Sequence, residues 1–155
     1  MKKLSIIMMC IATLAFVSCG STKGSSTANS SSSNTAAAKA QGKSTAGALL
    51  TLYSSYKSTG TINLGNPTDL TAALVVATGY TNMRANQADP AYKKAFASGM
   101  VAAGAGLITS ANVEGLINTM NNLTGLNVNA SNISQSVGTA TAIIQLLQAL
   151  GTVQQ

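Results

Sequence analysis

There is no histidine in this 155-residue chain, no tryptophan, and only three acidic residues, Asp69, Asp89 and Glu114. The missing histidine removes the commonest general base near neutral pH and the commonest metal ligand. Carboxylate chemistry would need two of the three acids to converge. Asp69 and Asp89 each stand beside a proline, Pro67 or Pro90, in the pattern of a helix start, where a carboxylate binds free backbone amides. Capping accounts for both. No phosphate-binding glycine loop, dinucleotide fingerprint or HExxH pattern is present. The residues point to no catalytic site, no metal site and no cofactor, and a protein that is not an enzyme is expected.

Cysteine is nearly as scarce, with Cys10 and Cys19 alone, both near the amino terminus. Charge is scarce and lopsided: nine cations face the three acids, for a net charge of +6. The cations are dispersed. A nucleic-acid footprint needs a clustered basic face, and the pair Lys93-Lys94 does not supply one, so no nucleic-acid partner is expected.

What is present begins with Lys2 and Lys3, followed by the apolar run "LSIIMMCIATLAFV" over residues 4–17. That run is too short to span a bilayer stably and has the form of a secretory leader. It ends in "LAFVSCGS", where Cys19 stands at the change from apolar residues to serines. This stretch resembles the lipobox of bacterial lipoproteins, with Phe16 in place of the usual leucine. The resemblance covers residues 1–19 only and implies nothing about the rest of the chain.

It implies that residues 1–18 are a signal peptide, that the Cys19 thiol takes a diacylglycerol, and that the new amino terminus is acylated, for example with palmitate. Two or three acyl chains anchor stably, each buried methylene contributing about 0.8 kcal/mol, so the membrane is the first expected partner. With Cys10 cleaved away and Cys19 a thioether, the mature chain would have no free thiol and no disulfide. Gly20, in place of the aspartate of an inner-membrane retention signal, implies sorting to the outer membrane in a host that has one, and to the cell membrane otherwise. The lack of acids in "GSTKGSS" favours a periplasm-facing orientation.

Residues 19–43 read as the lipidated cysteine and a disordered Ser/Ala-rich tether, "GSTKGSSTANSSSSNTAAAKAQGK", with no large apolar residue to bury; its last residues resemble a frayed helical entry. Three cations, Lys23, Lys39 and Lys43, fall in this segment, leaving the rest with a net charge near +1. Residues 44–155 read as one domain, long enough for one core.

The domain's pattern is helical throughout. Ser44 is read as the cap of a first helix carrying Leu49, Leu52, Tyr53 and Tyr56, stopped by Gly60. Asn66, Pro67 and Asp69 open a second, with Leu70, Leu74, Ala77 and Met83 aligned. Asp89 and Pro90 open a third, with Tyr92, Phe96, Met100, Ala103 and Leu107 along one face. A fourth carries Val113, Leu116, Ile117, Met120 and Leu123 before Gly125. A fifth opens near Ser131 and carries Ile133, Val137, Ala140, Ile143, Ile144, Leu147 and Leu150 before Gly151. The fold class expected is all-α, a single bundle of about five helices.

Glycine and alanine crowd "AFASGMVAAGAGLITSA", residues 95–111. Each mid-helix glycine costs about 1 kcal/mol, an expense that points to backbones in close contact or to a cavity wall. Tyr92, Phe96 and Met100 are the candidate ligand-binding residues, because tyrosine beside apolar side chains can line a groove. Two functions follow as expectations. The first is an envelope lipoprotein whose tethered helical domain binds another envelope protein or assists an assembly. The alternative is a carrier of a small apolar ligand inside the bundle.

Overall fold

The computed structural model describes residues 30–124, 126 and 137–151, with side chains from residue 34. These residues form an all-α bundle of five helices, as the sequence pattern requires: α1 (Ser30–Thr59), α2 (Pro67–Ala85), α3 (Pro90–Ala103), α4 (Val113–Asn122) and α5 (Val137–Gly151). The leader, Cys19, Gly125, Ser131 and Ile133 lie outside the described residues.

The first departure from expectation concerns the boundary at residue 43. Ser44 caps nothing; α1 runs through it and reaches back to Ser30, taking Lys39 and Lys43 into the folded unit. "NTAAAKAQGK" contains no large apolar residue, yet Ala38 is fully buried and Gly42 is buried with it. They continue a stripe at three- and four-residue spacing through Thr45, Ala46, Leu49 and Leu52, all with no exposure. Small residues here serve burial by letting another backbone approach. A Cβ at Gly42 would collide with the Phe96 carbonyl, and one at Gly99 would collide with the carbonyl of Lys39. The glycine content of α3 is therefore explained by close contact with α1, and these two helices share the largest interface in the bundle. With Lys39 and Lys43 added, the helical domain carries six cations against three acids.

α1 and α2 form an antiparallel hairpin. Gly60, at φ 74°, ends α1 by donating its N–H to the Tyr56 carbonyl at 2.7 Å. Asn66 caps α2 as expected, its side chain accepting from the Thr68 N–H at 2.9 Å, with Pro67 first in the helix. Asp69 does something else. It is 3 % exposed, and its carboxylate accepts from the Ser55 hydroxyl at 2.7 Å and from the Asn63 N–H at 3.2 Å. It thus ties the end of α1, the connecting loop and the start of α2 into one knot. Further along, a Cβ on Gly79 would collide with the Thr45 hydroxyl, so this hairpin is also close-packed. That fit rotates α2: Ala72, Ala73, Val76 and Ala77 turn inward with Tyr80 and Met83, whereas Leu70 and Leu74 are only half-buried.

Asp89 caps α3 as the pattern requires, accepting from Ala91 N–H at 2.9 Å and Tyr92 N–H at 3.3 Å. α3 stops at Ala103, a turn before Leu107, because Ala105 and Gly106 adopt φ values of 48° and 83°. Asn112 organises the turn that follows. Its side-chain oxygen accepts from Thr109 N–H at 2.7 Å, and its amide donates to the Leu107 carbonyl at 2.9 Å. Ile108 plugs the core beneath it, 1 % exposed.

α4 buries Val113, Leu116, Ile117 and Met120, the expected stripe, and Leu123 follows at 4 % exposure. α5 buries Ala142, Ile143, Leu146, Leu147 and Leu150 and packs chiefly on α4, with a smaller contact to α1. α1 touches α2, α3 and α5, which makes it the spine of the bundle.

Candidate functional site

Tyr92, Phe96 and Met100, the residues expected to bind a ligand, share one face of α3 and are brought together as anticipated. The face points into the core. Phe96 and Met100 have no exposure, Tyr92 has 8 %, and the Tyr92 and Phe96 rings stack with centroids 6.3 Å apart. Burial raises the Tyr92 phenol pKa above its ordinary value, since the phenolate would be poorly solvated there. These side chains act as packing against the glycine contacts of α1.

The three acids do not converge on one another in a shared site. Asp69 is occupied by Ser55 and Asn63, Asp89 by the first amides of α3, and Glu114 lies exposed in the first turn of α4. Among the described residues no three histidine, cysteine or acidic side chains cluster as metal ligands. No helix among them is long and apolar enough to cross a membrane.

A polar staple that sequence reading missed joins α2 to the end of α4. The Tyr80 hydroxyl donates to the Leu123 carbonyl at 2.8 Å and accepts from Arg84 Nη1 at 2.6 Å, and the Arg84 guanidinium lies 5.9 Å from the Tyr80 ring centroid. The Tyr80/Arg84 spacing of four residues was the available signal. The carbonyl 43 residues away was not in it.

Two of the surface concavities among the described residues stand out by their lining. One is an open groove of about 560 Å³ along the α1–α2 hairpin, with Ala48, Ala72 and Val75 beneath a rim that includes Ser44, Thr51 and Thr71. No charged side chain lines it. The other is a narrower cleft of about 260 Å³ between α3 and α4. Its floor is apolar, formed by Ala97, Val113 and Ile117. Lys93 and Lys94 stand on the α3 wall, and Glu114 stands with Ser110 and Asn118 on the other.

Charged side chains of both signs line the α3–α4 cleft, with one carboxylate and no imidazole among them. Compared with protein-family models, curated proteins and solved structures, the chain matches none, so the arrangement stands on its own geometry.

Proposed function

We propose that the protein is a lipid-anchored, non-enzymatic module of the cell envelope, held to the outer membrane through Cys19, facing the periplasm, and acting by contact with another envelope protein. The lipobox-like stretch ending at Cys19 supports the anchor. The observation that carries the reading is where α1 begins. Ser30 stands eleven residues after Cys19, and α1 is the spine on which α2, α3 and α5 pack. Ten residues, 20–29, separate Cys19 from Ser30, and covalent geometry limits the reach of that many to about 33–36 Å. The domain is thereby kept within about one protein diameter of the bilayer, where it meets membrane-bound partners at high effective concentration.

A surface poor in charge suits polar and apolar contact over long-range steering. The uncharged α1–α2 groove is the first surface to alter when the partner contact is sought. The apolar-carrier alternative has less support, because Tyr92, Phe96 and Met100 are core packing.

The test has two stages. Metabolic labelling with palmitate is expected to mark the wild-type protein and not Cys19→Ser, and the variant is expected to leave the membrane fraction. Cross-linking in native membranes, followed by mass spectrometry, is then expected to recover one protein partner, lost in Val75→Lys. A Cys19→Ser protein that still carries palmitate would refute the anchor. Labelling without a recovered partner would refute the contact function.

A further inference from the structure

We infer that the α3–α4 cleft is a binding site for a small zwitterion with an apolar side chain, an amino acid or a very short peptide. The inference rests on the cleft alone and does not depend on the anchored reading.

The two walls carry opposite charge. Lys93 and Lys94 supply ammonium groups from α3, and Glu114 supplies a carboxylate from α4. Among the described residues these groups make no ion pair with one another, nor any side-chain hydrogen bond. Asp69 and Asp89 are both consumed by hydrogen bonds within the fold, and Glu114 is left free opposite two free cations. The two signs thus line one cleft without being joined in an ion pair. A ligand with its own carboxylate and ammonium bridges the two walls, the carboxylate toward Lys93 and Lys94 and the ammonium toward Glu114. Charge-assisted hydrogen bonds of this kind are about twice as strong as neutral ones.

The remaining lining fits the same class. Ser110 and Asn118 flank Glu114 with a hydroxyl and an amide that can hold a ligand's amine or peptide carbonyl. Between the charged walls, Val113 and Ile117 present an apolar floor; they are 7 % and 5 % exposed, which leaves a small surface for a side chain to cover. A volume of about 260 Å³ lies just below the range common for ligand sites, about 300–1,000 Å³. That size suits one or two residues and excludes an extended peptide. A simple anion would satisfy the lysines and leave Glu114 repelling it. A simple cation would meet the reverse. Only a ligand carrying both signs uses both walls.

The probes are leucine and alanyl-leucine, titrated into the intact isotopically labelled chain in detergent solution and followed by backbone amide shifts. Saturable shifts are expected at Lys93, Ser110, Glu114 and Asn118, with a dissociation constant between about 0.1 and 5 mM. N-acetylation of the dipeptide and Glu114→Gln are each expected to weaken binding at least fivefold. Their effects should not add, because both remove the same contact. Carboxyl amidation and the double variant Lys93→Gln/Lys94→Gln should behave as a second such pair. These side chains are outside the core, so unchanged melting temperatures will show that the variants fold. Saturation by leucine alone identifies an amino-acid site, and saturation by the dipeptide alone identifies a peptide site. No saturable shift by either probe at roughly 10 mM, or equal binding by wild type and Glu114→Gln, would overturn the inference.

Discussion

Replacing Gly99 by alanine tests the central packing claim, because local and tertiary effects oppose one another. In an isolated helix the change is favourable by about 1 kcal/mol. In the bundle, the added methyl collides with the Lys39 carbonyl oxygen and lies 2.9 Å from its carbon and 3.0 Å from the Lys43 nitrogen. Comfortable carbon–oxygen contact begins at about 3.3 Å. These are backbone atoms, so no rotamer change relieves the overlap, and α1 and α3 must separate.

A gap of about 0.5–1 Å forfeits a quarter to a half of the dispersion energy between facing atoms, here along the largest interface of the fold. Overpacking of a core commonly costs about 1–3 kcal/mol, and an overlap between backbones belongs at the top of that range. After the helix gain is subtracted, a net loss of about 2 kcal/mol remains. For a domain of this size that lowers the melting temperature by about 10 °C. The control is Gly47→Ala in the middle of α1, where a Cβ meets nothing within 4 Å. The same substitution there is expected to stabilise by about 0.5–1 kcal/mol. Thermal denaturation followed by helical circular dichroism gives both values. A Gly99→Ala protein that melts at or above the wild type would refute the close-contact account of α1 and α3.

The other predictions are independent of that contact. Asp69→Ala removes the acceptor of both Ser55 and Asn63 and is expected to cost about 3 kcal/mol, against about 1–2 for Ser55→Ala, by urea denaturation. If the two effects add in the double variant, Asp69 does not act through Ser55. Tyr80→Phe leaves the Leu123 carbonyl without its donor and is expected to cost about 1–2 kcal/mol by the same measurement. Burial raises the Tyr92 pKa in the folded state, so the stability it reflects is intact below the unfolded value of 10.0 and is lost as pH rises through the higher folded value. Tyr92→Phe should therefore resist alkaline unfolding better than the wild type above about pH 10, with no such gain at pH 7; a constant offset at both would refute this origin.

Much of this fold was legible in one dimension. The two prolines with Asn66 and Asp89 before them mark helix starts because a missing N–H and a side-chain acceptor have value only at that position. The apolar stripe of α4 and the stop at Gly60 are equally local, and so is the absence of histidine that bears on chemistry. The lipobox-like segment is likewise a pattern of neighbouring residues, which is why it can be read without a fold.

Tertiary structure decided where small residues count as core. Hydrophobicity scales give Ala38, Gly42 and Gly99 little weight, so residues 30–43 look like tether; their burial exists only because another backbone lies against them. The same fit turned Ala72 and Ala73 inward in place of Leu70 and Leu74 and made packing of Tyr92, Phe96 and Met100. Asp69 found Ser55, 14 residues back, and Glu114 came to face Lys93 and Lys94 across a cleft. The local pattern fixes where a helix starts and which residues can line one face of it. Which face is buried, and which charged groups are left unpaired, depends on the distance between helices, and that distance is set only when they pack.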